Sequence, residues 1–279
     1  MTVRDEGPWK RGETPGPTLY FHATSPSDPR VVVGLLHGYG DHGARYAHVA
    51  DAWAERGIAT MALDMRGHGK AEGRRGHCDR FQEFLDDAAE LRRLVSQRAP
   101  GLPAVLFGHS LGGLVATSVV LAGPSPWRAL ALSAPFFWVA TAVPLAKRLA
   151  GKVATRIAPR LAMSSGLRGK DMTHDAERAR AYDDDPLVFK TATARWFTET
   201  AAAQARAVAN APSLSLPLLV VAGLSDPVAS VPRARAFFDA AGSSDKTWDG
   251  REGLFHEVLN EVEWRPIADR FADWILAHA

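Results

Sequence analysis

The chain has 279 residues, 46% of them hydrophobic and 23% charged, with a formal net charge of +2. This composition suits one large globular domain carrying an insertion, and the near-neutral balance gives no global basic field for nucleic acid. The single cysteine, Cys78, excludes an internal disulfide and a thiolate metal cluster. The opening MTVRDEGPWKRGETPGPT has no apolar leader, and no apolar run nears the roughly 18 residues of a membrane span, so a cytoplasmic protein is expected.

In chain order, Thr18–Ala23 is expected to pair in a hairpin with the residues around Trp9, across Gly12–Gly16. Val31–Leu36 reads as a continuous apolar strand ending in His37-Gly38, Arg45–Glu55 as a helix stopped by Gly57, and Ile58–Leu63 as the next strand. Phe81–Arg98 is an amphipathic helix with Phe81, Phe84, Leu85, Ala88, Leu91 and Val95 on one stripe. Leu102–Phe107 reads as a buried parallel strand. Gly112–Ala122 is apolar nearly all round and reads as a buried helix stopped by Gly123-Pro124. Ala129–Leu132 and Leu216–Ala222 are strands, and Ala234–Ala240 and Glu261–His278 are helices. This alternation means βαβ units and a parallel sheet, an α/β fold. Residues 136–206 break the rhythm. Alanine and arginine dominate there, Pro144, Pro159 and Pro186 divide the stretch, and no strand is evident. The segment reads as a helical cap over the carboxyl ends of the strands, where open α/β sheets bind ligands. The expected division is a core of 1–135 and 207–279 with a cap of 136–206.

Residues 108–113 read Gly-His-Ser-Leu-Gly-Gly. Gly108-x-Ser110-x-Gly112 is the pattern of a nucleophile elbow, in which a serine sits on a strained turn between strand and helix. A chain this long contains such a pattern by chance roughly one time in ten, so the flanking strand and helix carry the assignment. A serine hydroxyl is a weak nucleophile until a base takes its proton and a carboxylate orients that base. In elbow-type enzymes the acid and then the histidine follow the serine. Asp226 fits the acid, because it follows an apolar strand and the turn at Gly223, whereas the strand ending at Leu132 is followed by no acid. Of ten histidines, only His256 follows Asp226 in a loop just before a helix. His109, beside the serine, points the wrong way along its strand and reads as a packing residue. An oxyanion hole needs two backbone N–H groups: Leu111 follows the serine, and Tyr39 in His37-Gly-Tyr-Gly40 is the second donor. Losing one such donor typically costs about 3–4 kcal/mol of transition-state stabilisation.

His37-Gly-Tyr-Gly-Asp-His42 with Arg45-Tyr46, Asp64-Met-Arg-Gly-His-Gly69, the elbow hexapeptide, Asp185-Pro-Leu187 and Gly253-Leu-Phe-His-Glu-Val-Leu-Asn-Glu261 occur together and in order. With these stretches the chain resembles the monoacylglycerol lipase and lysophospholipase-like branch of the α/β-hydrolase fold. The resemblance implies a mostly parallel eight-stranded sheet with helices on both faces and a helical cap. It implies hydrolysis of esters of single acyl chains, monoacylglycerol or lysophospholipid, by Ser110, Asp226 and His256. It also assigns Asp41 and Arg45 to a polar pocket for the alcohol part, although the family usually carries glutamate where this chain has Asp41. No cofactor or metal is expected. The runner-up readings are a general carboxylesterase or acyltransferase, and a non-catalytic binding protein of the same fold.

Residues 144–170 hold seven basic residues and no acid. Arg148, Lys152, Arg156 and Arg160 recur every four positions beside Leu145, Leu149, Val153 and Ile157, which predicts a basic amphipathic helix of about four turns between Pro144 and Pro159. The preferred reading is a cap helix with a solvated basic face; the alternative is a helix that touches anionic lipid or micelle surfaces.

Overall fold

The computed structural model describes residues 1–12, 15–141, 151 and 153–279. Its centre is an eight-stranded sheet in the order β1-β2-β4-β3-β5-β6-β9-β10. β1 (Thr2–Trp9) and β2 (Leu19–Pro26) form the expected hairpin, with Trp9 opposite Leu19. β2 runs antiparallel to β4 (Ile58–Asp64), and from β4 onward every pairing is parallel, through β3 (Val31–Leu36), β5 (Ala104–His109), β6 (Ala129–Ser133), β9 (Leu218–Gly223) and β10 (Lys246–Arg251).

The central strands are apolar throughout because both sheet faces are covered. Alternate residues divide between two cores. Val31, Val33, Leu35, Val105, Phe107, Leu219 and Val221 join α1 (Ala47–Ala54) and α7 (Trp264–His278) through Trp53, Phe271 and Ile275. Val32, Leu36, Leu106, Leu130, Leu132, Leu218 and Val220 face α2 (Gln82–Arg98), α3 (Leu111–Leu121) and α6 (Val231–Ala240) through Phe84, Leu91, Leu114, Val115 and Phe237. This arrangement is the sheet that the resemblance implied, and the fold is that of the α/β-hydrolases.

Several elements differ from the sequence reading. The helix expected from Arg45 is a 3-10 turn over Gly43–Tyr46 followed by α1. Asp64 fixes the start of that turn by accepting from Gly43 N at 2.7 Å, and tight turns of this kind are frequent at helix starts. The helix expected from Glu261 starts at Trp264, because the Glu261 carboxylate folds back onto Phe255 and His174. β10, of sequence KTWDGR, was not expected: it is a half-buried edge strand paired only with β9, so it lacks the apolar signature of its neighbours. Between β6 and β9 lie α4 (Ala176–Asp184) and α5 (Ala194–Ala209), and also two strands the sequence did not suggest. β7 (Ala162–Ser164) and β8 (Thr191–Thr193) pair with each other, three residues each, too short for any periodic signal. Of the expected basic helix, residues 153–157 are helical; Leu145, Arg148, Leu149 and Lys152 lie outside the described residues, as do Glu13 and Thr14 of the hairpin turn. Among the described residues, no helix is long and apolar enough to cross a membrane.

Candidate active site

Ser110 stands between β5 and α3 with φ 51° and ψ −115°, a conformation that non-glycine residues rarely adopt. The surrounding structure holds it there: Ser110 N donates to Ser133 O at 3.0 Å, and Ser110 O accepts from Phe136 N at 3.0 Å. The elbow glycines are dictated by close approach. A Cβ on Gly108 would sit 2.4 Å from Gly112 O, and one on Gly112 would sit 2.1 Å from Leu36 O.

Asp226 and His256 arrive at the same sheet edge from the loops after β9 and β10. Those loops are stitched together by Leu224 N to Arg251 O at 2.9 Å and Ser225 N to Leu254 O at 3.0 Å. Gly223 permits the crossing, since a Cβ there would lie 2.2 Å from Phe255 O. The Ser110 hydroxyl donates to His256 Nε2 at 2.9 Å, and His256 Nδ1–H donates to Asp226 Oδ2 at 2.7 Å. The other carboxylate oxygen of Asp226 accepts from Val228 N and Ala229 N at 2.7 and 2.9 Å. All three side chains are buried. Burial opposes a charged imidazole, but Asp226 outweighs it and raises the His256 pKa above its ordinary value. Burial likewise opposes ionisation of Asp226, and the His256 charge and hydrogen bond overcome it, lowering its pKa.

The 37–40 loop passes directly over the elbow: a Cβ on Gly38 would lie 3.5 Å from Ser110 Cβ. The Tyr39 side chain turns away to β8 and α5, donating to Thr191 O at 2.6 Å with its ring 4.0 Å from that of Trp196. His109 is buried as a packing residue and also lines the cavity. Its Nδ1 lies 3.1 Å from Ser133 Oγ, and its ring is 4.9 Å from that of His256. Burial, and then the His256 charge, push its pKa down to about 4, so it stands neutral beside Ser110 and His256.

A cavity of about 750 Å³ opens on these residues. Phe136, Trp138, Trp196, Phe197 and Leu167 give it apolar walls, and Asp41, Tyr182 and Glu257 supply a polar side. Asp41 thus borders the cavity, whereas Arg45 is not among its lining residues. Arg45 Nη1 donates to Asp41 Oδ1 at 2.9 Å and Glu257 Oε1 at 2.8 Å, and its Nη2 donates to Glu257 Oε2 at 2.7 Å. Tyr46 Oη donates to Asp41 Oδ2 at 2.9 Å, and Asn260 Nδ2 to Glu257 Oε2 at 2.8 Å. Burial works against both carboxylates, and the Arg45 charge prevails and keeps their pKa values below the ordinary range. Glu257, Tyr46 and Tyr182 were given no role from sequence. Glu257 stood within a matched stretch next to His256, which was the available signal; its partner Arg45 is 212 positions away.

Residues 27–263 match the Hydrolase_4 family model, described as serine aminopeptidase, S33. The chain is 32% identical to a monoacylglycerol lipase of Mycolicibacterium smegmatis over 93% of each protein. It is 30% identical to a Bacillus subtilis phospholipase, covering 84% of this chain and 91% of that one. Among solved structures, a Paleococcus ferrophilus monoacylglycerol lipase superposes with a TM-score of 0.82 at 27% identity, covering 94% of this chain and 99% of that one.

Proposed function

The chain belongs to the Hydrolase_4 family, and from that premise we propose that it cleaves monoacylglycerol through an acyl-enzyme on Ser110. It is a carboxylic ester hydrolase of the α/β-hydrolase fold. The observation that carries the mechanism is the unbroken Ser110–His256–Asp226 hydrogen-bond chain facing a largely apolar cavity. In the proposed reaction Ser110 Oγ attacks the ester carbonyl while His256 Nε2 accepts its proton. The Tyr39 and Leu111 amides hold the oxyanion, and His256 then protonates the departing alcohol. Water then attacks the acyl carbonyl as His256 takes its proton, and His256 returns that proton to Ser110 Oγ as the bond to the acyl group breaks and the acid is released. Asp226 keeps Nδ1 protonated, so Nε2 is the free acceptor, and stabilises the imidazolium.

The polar side of the cavity favours a neutral alcohol. Asp41, Glu257 and Arg45 together carry one net negative charge, and the Arg45 guanidinium gives three hydrogen bonds to the two carboxylates. A phosphate placed against that wall meets like charge, and among the described residues no arginine or lysine lines the cavity. A glycerol moiety can instead donate its hydroxyls to the carboxylates. Monoacylglycerol is therefore favoured over lysophospholipid, although one relative is a phospholipase by name.

Residues 136–206 act, in this reading, as the cap, and their exposed face meets a lipid surface. Val153, Ile157, Leu161 and Met163 are all more than half exposed, and Arg156 and Arg160 stand exposed among them. Apolar side chains next to cations, at a cavity rim that Met163 also lines, fit an anionic interface better than bulk water.

The test compares hydrolysis of monoacylglycerols of increasing chain length with lysophosphatidylcholine and lysophosphatidylglycerol of the same chains. Monoacylglycerol should be cleaved fastest, and S110A should lose both turnover, by a factor on the order of 10⁴ or more, and fluorophosphonate labelling. Faster lysophospholipid cleavage would overturn the substrate assignment, and labelling that persists in S110A would overturn the nucleophile. Glycerol added as acyl acceptor separates hydrolase from acyltransferase. An aminoacyl p-nitroanilide tests the amide cleavage named in the family description, and no cleavage is expected.

A further inference from the structure

We infer that Glu261 is a positioning residue for the catalytic histidine, holding the His256 loop in register against the base of the cap. The inference rests on the proposed triad. Glu261 is 1% exposed, and its carboxylate stands where two segments distant in sequence meet. On the core side, Oε1 accepts from the backbone N–H of Phe255, the residue before His256, at 2.9 Å. On the cap side, Oε2 accepts from the His174 backbone N–H at 2.9 Å, and His174 Nδ1–H reaches Oε1 at 3.0 Å. Thr173 Oγ1 lies 3.2 Å from Oε2 and directs its main bond to Asn260 O at 2.8 Å. The His174 ring packs on Phe255 at an interplanar angle of 31° with centroids 3.8 Å apart. One position further on, Glu257 N donates to Met172 O at 2.8 Å. His256 is thus bracketed on both sides by bonds that end on residues 172–174 or on Glu261. The loop itself has no regular structure between Arg251 and Val258, so these bonds set where the imidazole stands relative to Ser110.

Misplacing a reacting group by about 1 Å can cost on the order of 100-fold in rate. Withdrawing the carboxylate from Phe255 N should therefore act on kcat and leave KM for a small soluble ester alone. Glu261 touches neither the cavity nor any triad atom, so a purely structural role predicts fewer folded molecules with normal turnover in each. The experiment uses p-nitrophenyl butyrate, with rates expressed per active site titrated by fluorophosphonate, for E261A, E261D and E261Q. E261A and E261D pull the acceptor out of reach, and kcat per site should fall at least about tenfold with KM within about twofold. E261Q keeps its carbonyl oxygen as acceptor for the Phe255 N–H, while its NH2 can only donate and gives up the bond from His174 N, so kcat per site should remain within about threefold of the parent. If E261A fails to fold, the E261D and E261Q comparison decides. Equal kcat per site in those two overturns the inference, as does a loss confined to the number of titratable sites. Failure of the parent enzyme to label at Ser110 would count against the triad instead.

Discussion

His256 is buried, and burial by itself would favour its neutral form; the Asp226 carboxylate at 2.7 Å reverses that preference. For a general base the neutral imidazole is the active species, so kcat/KM should rise with pH through the pKa of the free enzyme. Because that pKa is raised, the acid limb should have its midpoint above the ordinary histidine value of about 6.5. A p-nitrophenyl butyrate profile from about pH 5 to 9 checks this, and a midpoint below the ordinary value would contradict the assigned pair. D226N should move the limb to lower pH, since it removes the charge that raises the pKa, and should cut kcat by about 10⁴. The neighbouring His109 adds no limb of its own above pH 5, because burial holds its pKa down to about 4.

Between elements, the buried pair Arg45–Glu257 ties the turn before α1 to the loop after β10. The two side chains are 12% and 5% exposed, and Arg45 also pairs with Asp41. R45M would leave two carboxylates buried without a cation, a change that typically costs about 3–5 kcal/mol. A fall of that size in unfolding free energy, read from the urea midpoint, is expected, and a loss below about 1 kcal/mol would show that the site relaxes or hydrates. This network was not legible in the sequence, because nothing local links position 45 to position 257. The proposed triad could be picked out for the opposite reason: two of its members follow elements with their own signatures. Ser110 follows the apolar run of β5, and Asp226 follows β9 and the obligatory Gly223. His256 was singled out by chain order and by its place in a loop just before a helix, since the strand before it, β10, is too polar to announce itself. The same blindness covered Glu261, whose partners at 173 and 174 lie 87 or more positions away. Buried strands and tight glycines leave one-dimensional traces, whereas long-range ion pairs and short ribbons such as β7 and β8 do not.

At the scale of the whole molecule, an overall charge of +2 conceals local segregation, with exposed Arg156 and Arg160 set among exposed apolar side chains beside the cavity rim. Arg74 extends the cationic area, donating to Arg160 O at 3.2 Å. The proposed lipid contact combines two contributions. Burying a side chain the size of Ile157 is worth about 1.5–3 kcal/mol, and each basic residue near an anionic leaflet adds about 1 kcal/mol that salt screens. Co-sedimentation should therefore recover more protein with vesicles containing phosphatidylglycerol than with phosphatidylcholine alone, and the difference should shrink as salt is raised. I157D, at a position 78% exposed, should weaken recovery without disturbing the fold. It should also leave p-nitrophenyl butyrate turnover unchanged, because that ester arrives through water, while slowing hydrolysis of monoacylglycerol embedded in vesicles. Equal recovery on both vesicle types at low salt, or an I157D variant as active as its parent on embedded substrate, would return this face to a solvated basic surface.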